Sequence, residues 1–354
     1  ADELDLLPLF CACLSEIGSA GRDYRATQAR QAAVTGGISA SANVRGGVDD
    51  VYQVKGILTL GGKALARNHT ALADLLWETL TSARFDERAR LRELIAQMRA
   101  HREEAITEHG HMLALAAASA SLSPVAALNH RWDGLQGLKH LKALDDALDD
   151  TEVLATFADR LEQLRDRLQQ APRQLLVVSE AERQDDIAAA LAVYWRQGYA
   201  TPEPFTLVAP ELQPLRQGFR VNTQVNFCAK AYPAVAPNHP DAPALQVLGD
   251  FLRNNYLHRA IRERGGAYGS GAGYHPGSGA FRFSSYRDPR LADTLADFDR
   301  ALDWLQTHDH PVRALEEAIL GIIATIDKPG SPAGEAISAF FGTLFGRSPE
   351  QRRA

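Results

Sequence analysis

The apolar positions change their period several times along the chain, and each change marks an element. An unbroken apolar run from Leu6 to Leu14 predicts a buried helix, closed by "GSAG". "TGGISASANV" (35–44) alternates after a Gly-Gly turn and predicts a strand, and "YQVKGILTLGG" (52–62) predicts a second. Two helices follow. "NHTALADLLWETL" places Leu72, Leu75, Leu76 and Leu80 on one face. "DERARLRELIAQMRAHREEAITEHG" does the same with Leu91, Leu94, Ile95 and Met98, with Asp86 as its N-cap. An amphipathic helix over 151–172 stops at Pro172.

Beyond Pro172 the order starts again. "RQLLVVSE" (173–180) predicts a strand, "AERQDDIAAALAVYWRQ" a helix, and "FRVNTQVNFCAKAYPAV" (219–235) a pair of strands. A long helix from about Ala242 to Arg264 leads into a glycine-rich stretch, then the strand "AFRFSSYRD" (280–288) and two more helices. Strands followed by paired helices, on either side of Pro172, predict an α+β chain of two domains of similar plan, 1–172 and 173–354, each a sheet packed against helices. Both ends read as cut. "RSPEQRRA" opens like a helix with Ser348 as N-cap and Pro349 in first place, and then the chain stops.

Composition narrows the partners. With 354 residues, 23% of them charged, and a net charge of −6, nothing favours nucleic acid or an anionic membrane. The longest apolar runs, "AILGIIATI" and "MLALAAASASL", fall short of the ~20 residues a membrane span needs. Cys11, Cys13 and Cys228 are too few and too poorly spaced for a disulfide framework or a zinc knuckle. The acidic start lacks a secretory signal. That lack, with the heavy use of Ala and Arg, predicts a bacterial cytoplasm.

No zinc motif is visible. "HREEA" (101–105) has a His and a Glu at metalloprotease spacing, but Ala105 stands where the second ligand belongs. In "EHGH" (108–111), His109 and His111 suit a helix C-terminus. "GSGAG" (269–273) superficially suggests a dinucleotide loop. It has a helix before it and a strand after it, the reverse of the order that motif requires.

The stretch "IRERGGAYG" carries more. A helix ending near Arg264, a Gly265–Gly266 turn and a strand beginning at Ala267 bring Arg262 and Tyr268 towards one space. A guanidinium offers several fixed donors and a phenol one, a set that suits a substrate carbonyl or a developing oxyanion. A solvated Arg and a half-buried Tyr are the plainer alternative.

At these residues the chain resembles the presequence-protease branch of the pitrilysin/insulinase metallopeptidases, the inverted zincins. "LPLFCACLSEIG", "DYRATQARQAAVTGGISASANV", "IRERGGAYG" and "FRFSSYRDP" carry the likeness, in order and at matching intervals. The resemblance implies a zinc-dependent endopeptidase in which two halves, each of two related α+β domains, close around unstructured oligopeptides, and it matches this chain to the second half. It divides the chain into a third pitrilysin-like domain, 1–172, and a fourth, 173–354.

The resemblance assigns Arg262 and Tyr268 to substrate and oxyanion, with Gly265 and Gly266 letting the turn pass close to the peptide. It assigns the zinc, its activated water and a Glu base to an N-terminal catalytic half, the implied partner. Leu9, Ala12 and Cys13 align with the family's His, Glu and His, so the resemblance implies no metal in this chain and no activity alone. The rival reading is a non-catalytic subunit or scaffold that pairs with a separate zinc-bearing chain.

Overall fold

The computed structural model describes residues 3–195 and 206–347. The chain divides into two compact units, and the division interleaves the sequence. The first takes 1–44, 56–101 and 139–205; the second takes 45–55, 102–138 and 206–354.

In the first unit, helix α1 (Leu7–Leu14) is the apolar run, and Phe10, Cys11, Cys13 and Leu14 are buried. Asp23 caps α2 (Tyr24–Val34) by accepting from the Ala26 N–H, a helix the hydrophobic pattern did not single out. Strands β1 (Ile38–Gly46) and β2 (Val54–Gly62) form a two-stranded sheet, and α3 (His69–Thr81) follows. Helix α4 (Arg88–Ser119) runs far past the predicted end, but its backbone leaves helical geometry at His109. The first segment therefore does end at the predicted histidine.

Helix α5 (Pro124–Trp132), which with the end of α4 belongs to the second unit, and α6 (Leu135–Ala147) were not anticipated; α7 (Thr151–Leu168), in the first unit, was. The unit's core joins Phe10, Leu14 and Ile17 to Phe85, Leu91 and Ile95 and to Phe157 and Leu161. The one-sided periodicity of α4 and α7 led to that packing. Asp86 is not the cap of α4. Its carboxylate is drawn to the Arg84 guanidinium at 2.9 Å, which holds it below the usual carboxylate range. Glu87 takes the helix start instead, and its side chain accepts from the Gly18 and Tyr24 N–H groups.

The predicted strand 173–180 is not a strand. Leu175, Leu176, Val177 and Val178 stay 39–49% exposed, with no ladder among the described residues. β-propensity counts only where a neighbouring strand takes up the backbone groups. Helix α8 (Gln184–Ala192) realises the middle of the next predicted helix; residues 196 and 197 of that prediction, and Ser348 and Pro349, lie outside the described residues.

The second unit holds an antiparallel sheet of β3 (Ala229–Pro233), β4 (Gly269–His275) and β5 (Ala280–Tyr286), in the order β3-β5-β4. Of the predicted strand pair only β3 forms, joined upstream by one bridge, Asn226 to Asp288. Arg282 pairs with Ala231 on one side and Gly273 on the other. One face of the sheet is covered, with Phe281 and Phe283 packed on Leu252, Leu257, Ile261 and Phe298. The predicted single helix 242–264 is two: α9 (Ala242–Leu252) and an eleven-residue π-helix (Arg253–Glu263). Leu252 ends α9, and the π-helix buries Leu257, Ala260 and Ile261. Helices α10 (Ala292–Thr307), α11 (Val312–Ile326) and α12 (Pro332–Leu344) complete the unit.

Candidate substrate-contacting site

The π-helix ends where two glycines turn the chain, and the two are needed for different reasons. Gly266 has φ +78°, in the left-handed region where a side chain is strained. Gly265 is squeezed: a Cβ there would fall inside the guanidinium of Arg290 and against the Ile261 carbonyl. The turn is closed by the Gly266 N–H donating to the Arg262 carbonyl (3.0 Å) and the Ala267 N–H donating to that of Ile261 (3.1 Å).

That closure brings Arg262 and Tyr268 together. The guanidinium carbon of Arg262 sits 5.9 Å from the centre of the Tyr268 ring, a cation–π contact. Tyr268 is 67% exposed, and neither side chain has a hydrogen bond or ion pair to another described residue. Both polar ends are free to donate. Tyr268 is held by its backbone, which donates to the Tyr286 carbonyl at 3.1 Å and so extends the β4–β5 ladder by one residue. β4 itself begins at Gly269, two residues later than predicted, because Ala267 is occupied with the helix end.

Behind the pair lies an aromatic cluster that the sequence did not disclose. Tyr286 meets Tyr268 edge-on (5.7 Å), His111 edge-on (4.9 Å) and Phe227 tilted (5.8 Å). Burial, helped by His109, lowers the pKa of His111, so the ring that backs Tyr286 is held neutral. The Arg287 guanidinium lies 5.3 Å from the Tyr286 ring. The stretch "SYRDP" reads from sequence as a strand ending, and Asp288 bears that out: fully buried, it accepts from Thr294 Oγ1 (2.7 Å) and the Arg290 N–H (2.9 Å). The aromatic role of Tyr286 and the buttress of Arg290 under Gly265 depend on contacts between distant segments. The only sequence signal for them is the crowding of Tyr, Arg and Asp in 286–290.

At the aligned metal positions the residues do not fit a metal. Leu9 and Ala12 carry no donor atom, and Cys13 is fully buried among Phe10, Leu14 and Leu161, with its thiol pushed up to about 12 by burial.

Residues 1–144 match the associated domain of peptidase family M16, subfamily C, and residues 216–354 match the PreP C-terminal domain. The chain belongs to the peptidase M16 family. Over 98% of its length it is 28% identical to the mitochondrial presequence proteases of Danio rerio and Yarrowia lipolytica, covering 36% and 35% of those proteins. The fold agrees with a crystal structure of a peptidase M16 inactive domain from Pseudomonas fluorescens, at 17% identity and a TM-score of 0.57, over 97% of this chain and 79% of that one. The α+β M16 architecture is thus the fold of this chain, and the chain corresponds to a C-terminal part of such a peptidase.

The chain spans about a third of the length of these relatives. One expectation changes. The expected bacterial cytoplasm is overturned, because the presequence proteases it resembles are mitochondrial. Among the described residues no helix is long and apolar enough to cross a membrane.

Proposed function

We propose that this chain is the substrate-contacting C-terminal part of a zinc-dependent M16 endopeptidase that degrades unstructured peptides. The observation that carries the proposal is the Arg262–Tyr268 pair. Two side chains with free donors are stacked at the end of a rigid ladder, on a tight Gly-Gly turn. Arg262 presents a planar fork that can donate two parallel bonds to a peptide carbonyl or carboxylate. Tyr268 presents one O–H to the oxygen that gains charge when a peptide carbonyl is attacked. A donor fixed in advance stabilises that charge more than water does, because nothing must reorient as it forms.

Gly265 and Gly266 belong to the substrate-binding site through the turn they form, Gly265 packed on Arg290 and Gly266 making the left-handed bend that brings Tyr268 to Arg262. The zinc and the attacking water belong to an N-terminal catalytic portion, the proposed partner, since the residues here do not fit a metal. The two family matches, 1–144 and 216–354, support two related domains divided near Pro172. The location attached to the proposal is that of the relatives, mitochondrial.

The test is peptidase activity on an unstructured peptide of a few dozen residues, with this chain, a zinc-bearing N-terminal portion, and the two mixed. Activity confined to the mixture and sharply reduced by Arg262→Ala and by Tyr268→Phe is the expected result. A stable but inactive complex would instead mark the chain as a non-catalytic scaffold.

A further inference from the structure

A cleft of the second unit lies between the π-helix and α10, and it is lined by four arginines. It encloses about 640 Å³, and Arg259, Arg264, Arg290 and Arg300 surround it, with Tyr256 and Trp304 on its wall. The π-helix is what gathers them. Its bonds run i→i+5, and the Arg264 N–H donates to the Arg259 carbonyl at 3.1 Å, so the two side chains stand one turn apart. Asn255, Arg259 and Arg264 then share the face that lines the cleft. At the α-helical period of about 3.6 residues per turn, Arg264 would lie about half a turn away from Asn255 and outside the cleft.

The charges fall into two groups. Arg290 and Arg300 are neutralised: the buried carboxylate of Asp297 accepts from Arg290 Nη2 at 3.1 Å and Arg300 Nη2 at 2.5 Å, and Asp288 lies 3.9 Å from Arg290 Nε. Arg259 and Arg264 have no ion-pair partner among the described residues, while Glu263 beside them is turned to His258 at 3.3 Å. Asp303, also on the cleft wall, is the one lining carboxylate left to oppose them. Two guanidinium forks one turn apart repel each other, and an anion between them relieves that repulsion.

We propose that this cleft binds a small multivalent oxyanion, a molecule carrying clustered carboxylate or phosphate groups, held between the forks of Arg259 and Arg264. Guanidinium forks match both groups in a two-bond geometry. The site is separate from Arg262 and Tyr268, which do not line it, and it does not rest on the proposed peptidase activity.

Trp304, on the cleft wall, supplies the readout. The 354-residue chain is titrated with inorganic pyrophosphate and, separately, with citrate at constant ionic strength, following tryptophan fluorescence and, in parallel, heat. Saturable one-to-one binding of at least one anion is expected. Arg259→Gln with Arg264→Gln should weaken it at least 10-fold; Arg259→Lys with Arg264→Lys, which keeps the charge and loses the fork, should weaken it several-fold. Arg253→Gln, on the same helix but paired with Asp250 outside the cleft, should leave it unchanged. Pyrophosphate binding without citrate identifies a phosphate ligand, and the reverse a polycarboxylate. Absence of saturable binding by both anions overturns the proposal. So does equal weakening by Arg253→Gln, which would mean diffuse charge attraction, or unchanged affinity in the double Gln and double Lys variants.

Discussion

Gly265 packs directly on the guanidinium of Arg290, so closely that no Cβ fits between them. Arg290 is held there from below, its Nη2 donating to the Ala260 carbonyl and to Asp297 at 3.1 Å. The turn that carries Arg262 and Tyr268 therefore rests on a fixed cation rather than on loose chain.

The two glycines of that turn should separate in their responses. Gly265→Ala must displace Arg290 and is expected to cost about 1–3 kcal/mol, the range for overpacking a filled site. Gly266 meets only the Pro289 ring at 3.5 Å, so Gly266→Ala costs only its left-handed backbone, about 1–2 kcal/mol. Asn tolerates that backbone, and Gly266→Asn should recover part of the loss. Gly265→Asn should be worse than Gly265→Ala. Urea titrations of the four variants decide it.

Arg262→Ala and Tyr268→Phe should leave stability nearly unchanged, because both side chains are exposed and make no polar bond among the described residues. Under the proposed function, Tyr268→Phe in the assembled peptidase is expected to lower kcat about 10²–10³-fold, as loss of one oxyanion donor does. Arg262→Ala should raise KM as well, since the role proposed for Arg262 is to bind the peptide. Steady-state kinetics beside a melting curve distinguishes this from a folding defect.

His275 gives the second unit an acid-side dependence. Burial, with the charge of Arg282 adding to it, lowers its pKa to about 4, while Nδ1 is bonded to Ser278 Oγ at 2.8 Å. The unfolded chain, with an ordinary histidine near 6.5, takes up a proton first as the pH falls. Stability is thus full above about pH 6.5 and is lost progressively between about 6.5 and 4, by up to about 3 kcal/mol. His275→Gln should flatten this part of the profile, read as the difference in urea midpoint between the two proteins at about pH 7.5 and about pH 4.5.

All three cysteines should be silent in the native protein. Cys11 and Cys13 have thiols pushed up to about 12 by burial, and Cys228 is raised as well. The thiolate is the reactive form, so a thiol reagent at about pH 8 should label none of the three until denaturant is added, and then all three. Fast native labelling of Cys13 would contradict its place in the core of the first unit.

Much of this protein was legible in its sequence because the deciding forces are local. The one-sided leucines of α4 and α7 bury against a core whatever surrounds them, and the alternation in β5 places Phe281 and Phe283 on the covered face. The Gly-Gly turn between Arg262 and Tyr268 was likewise readable, since a bend so tight is written in residue type. What only the tertiary structure decided depends on partners distant in the chain. Residues 173–180 have a strand's composition but no strand to pair with among the described residues. Asp86 has a capping residue's chemistry but lies beside Arg84. His111 and Phe227 reach Tyr286 from segments far away in sequence. The widening of a helix from turns of about 3.6 residues to i→i+5 bonding is set by what it packs on, and that widening puts Arg259 and Arg264 side by side.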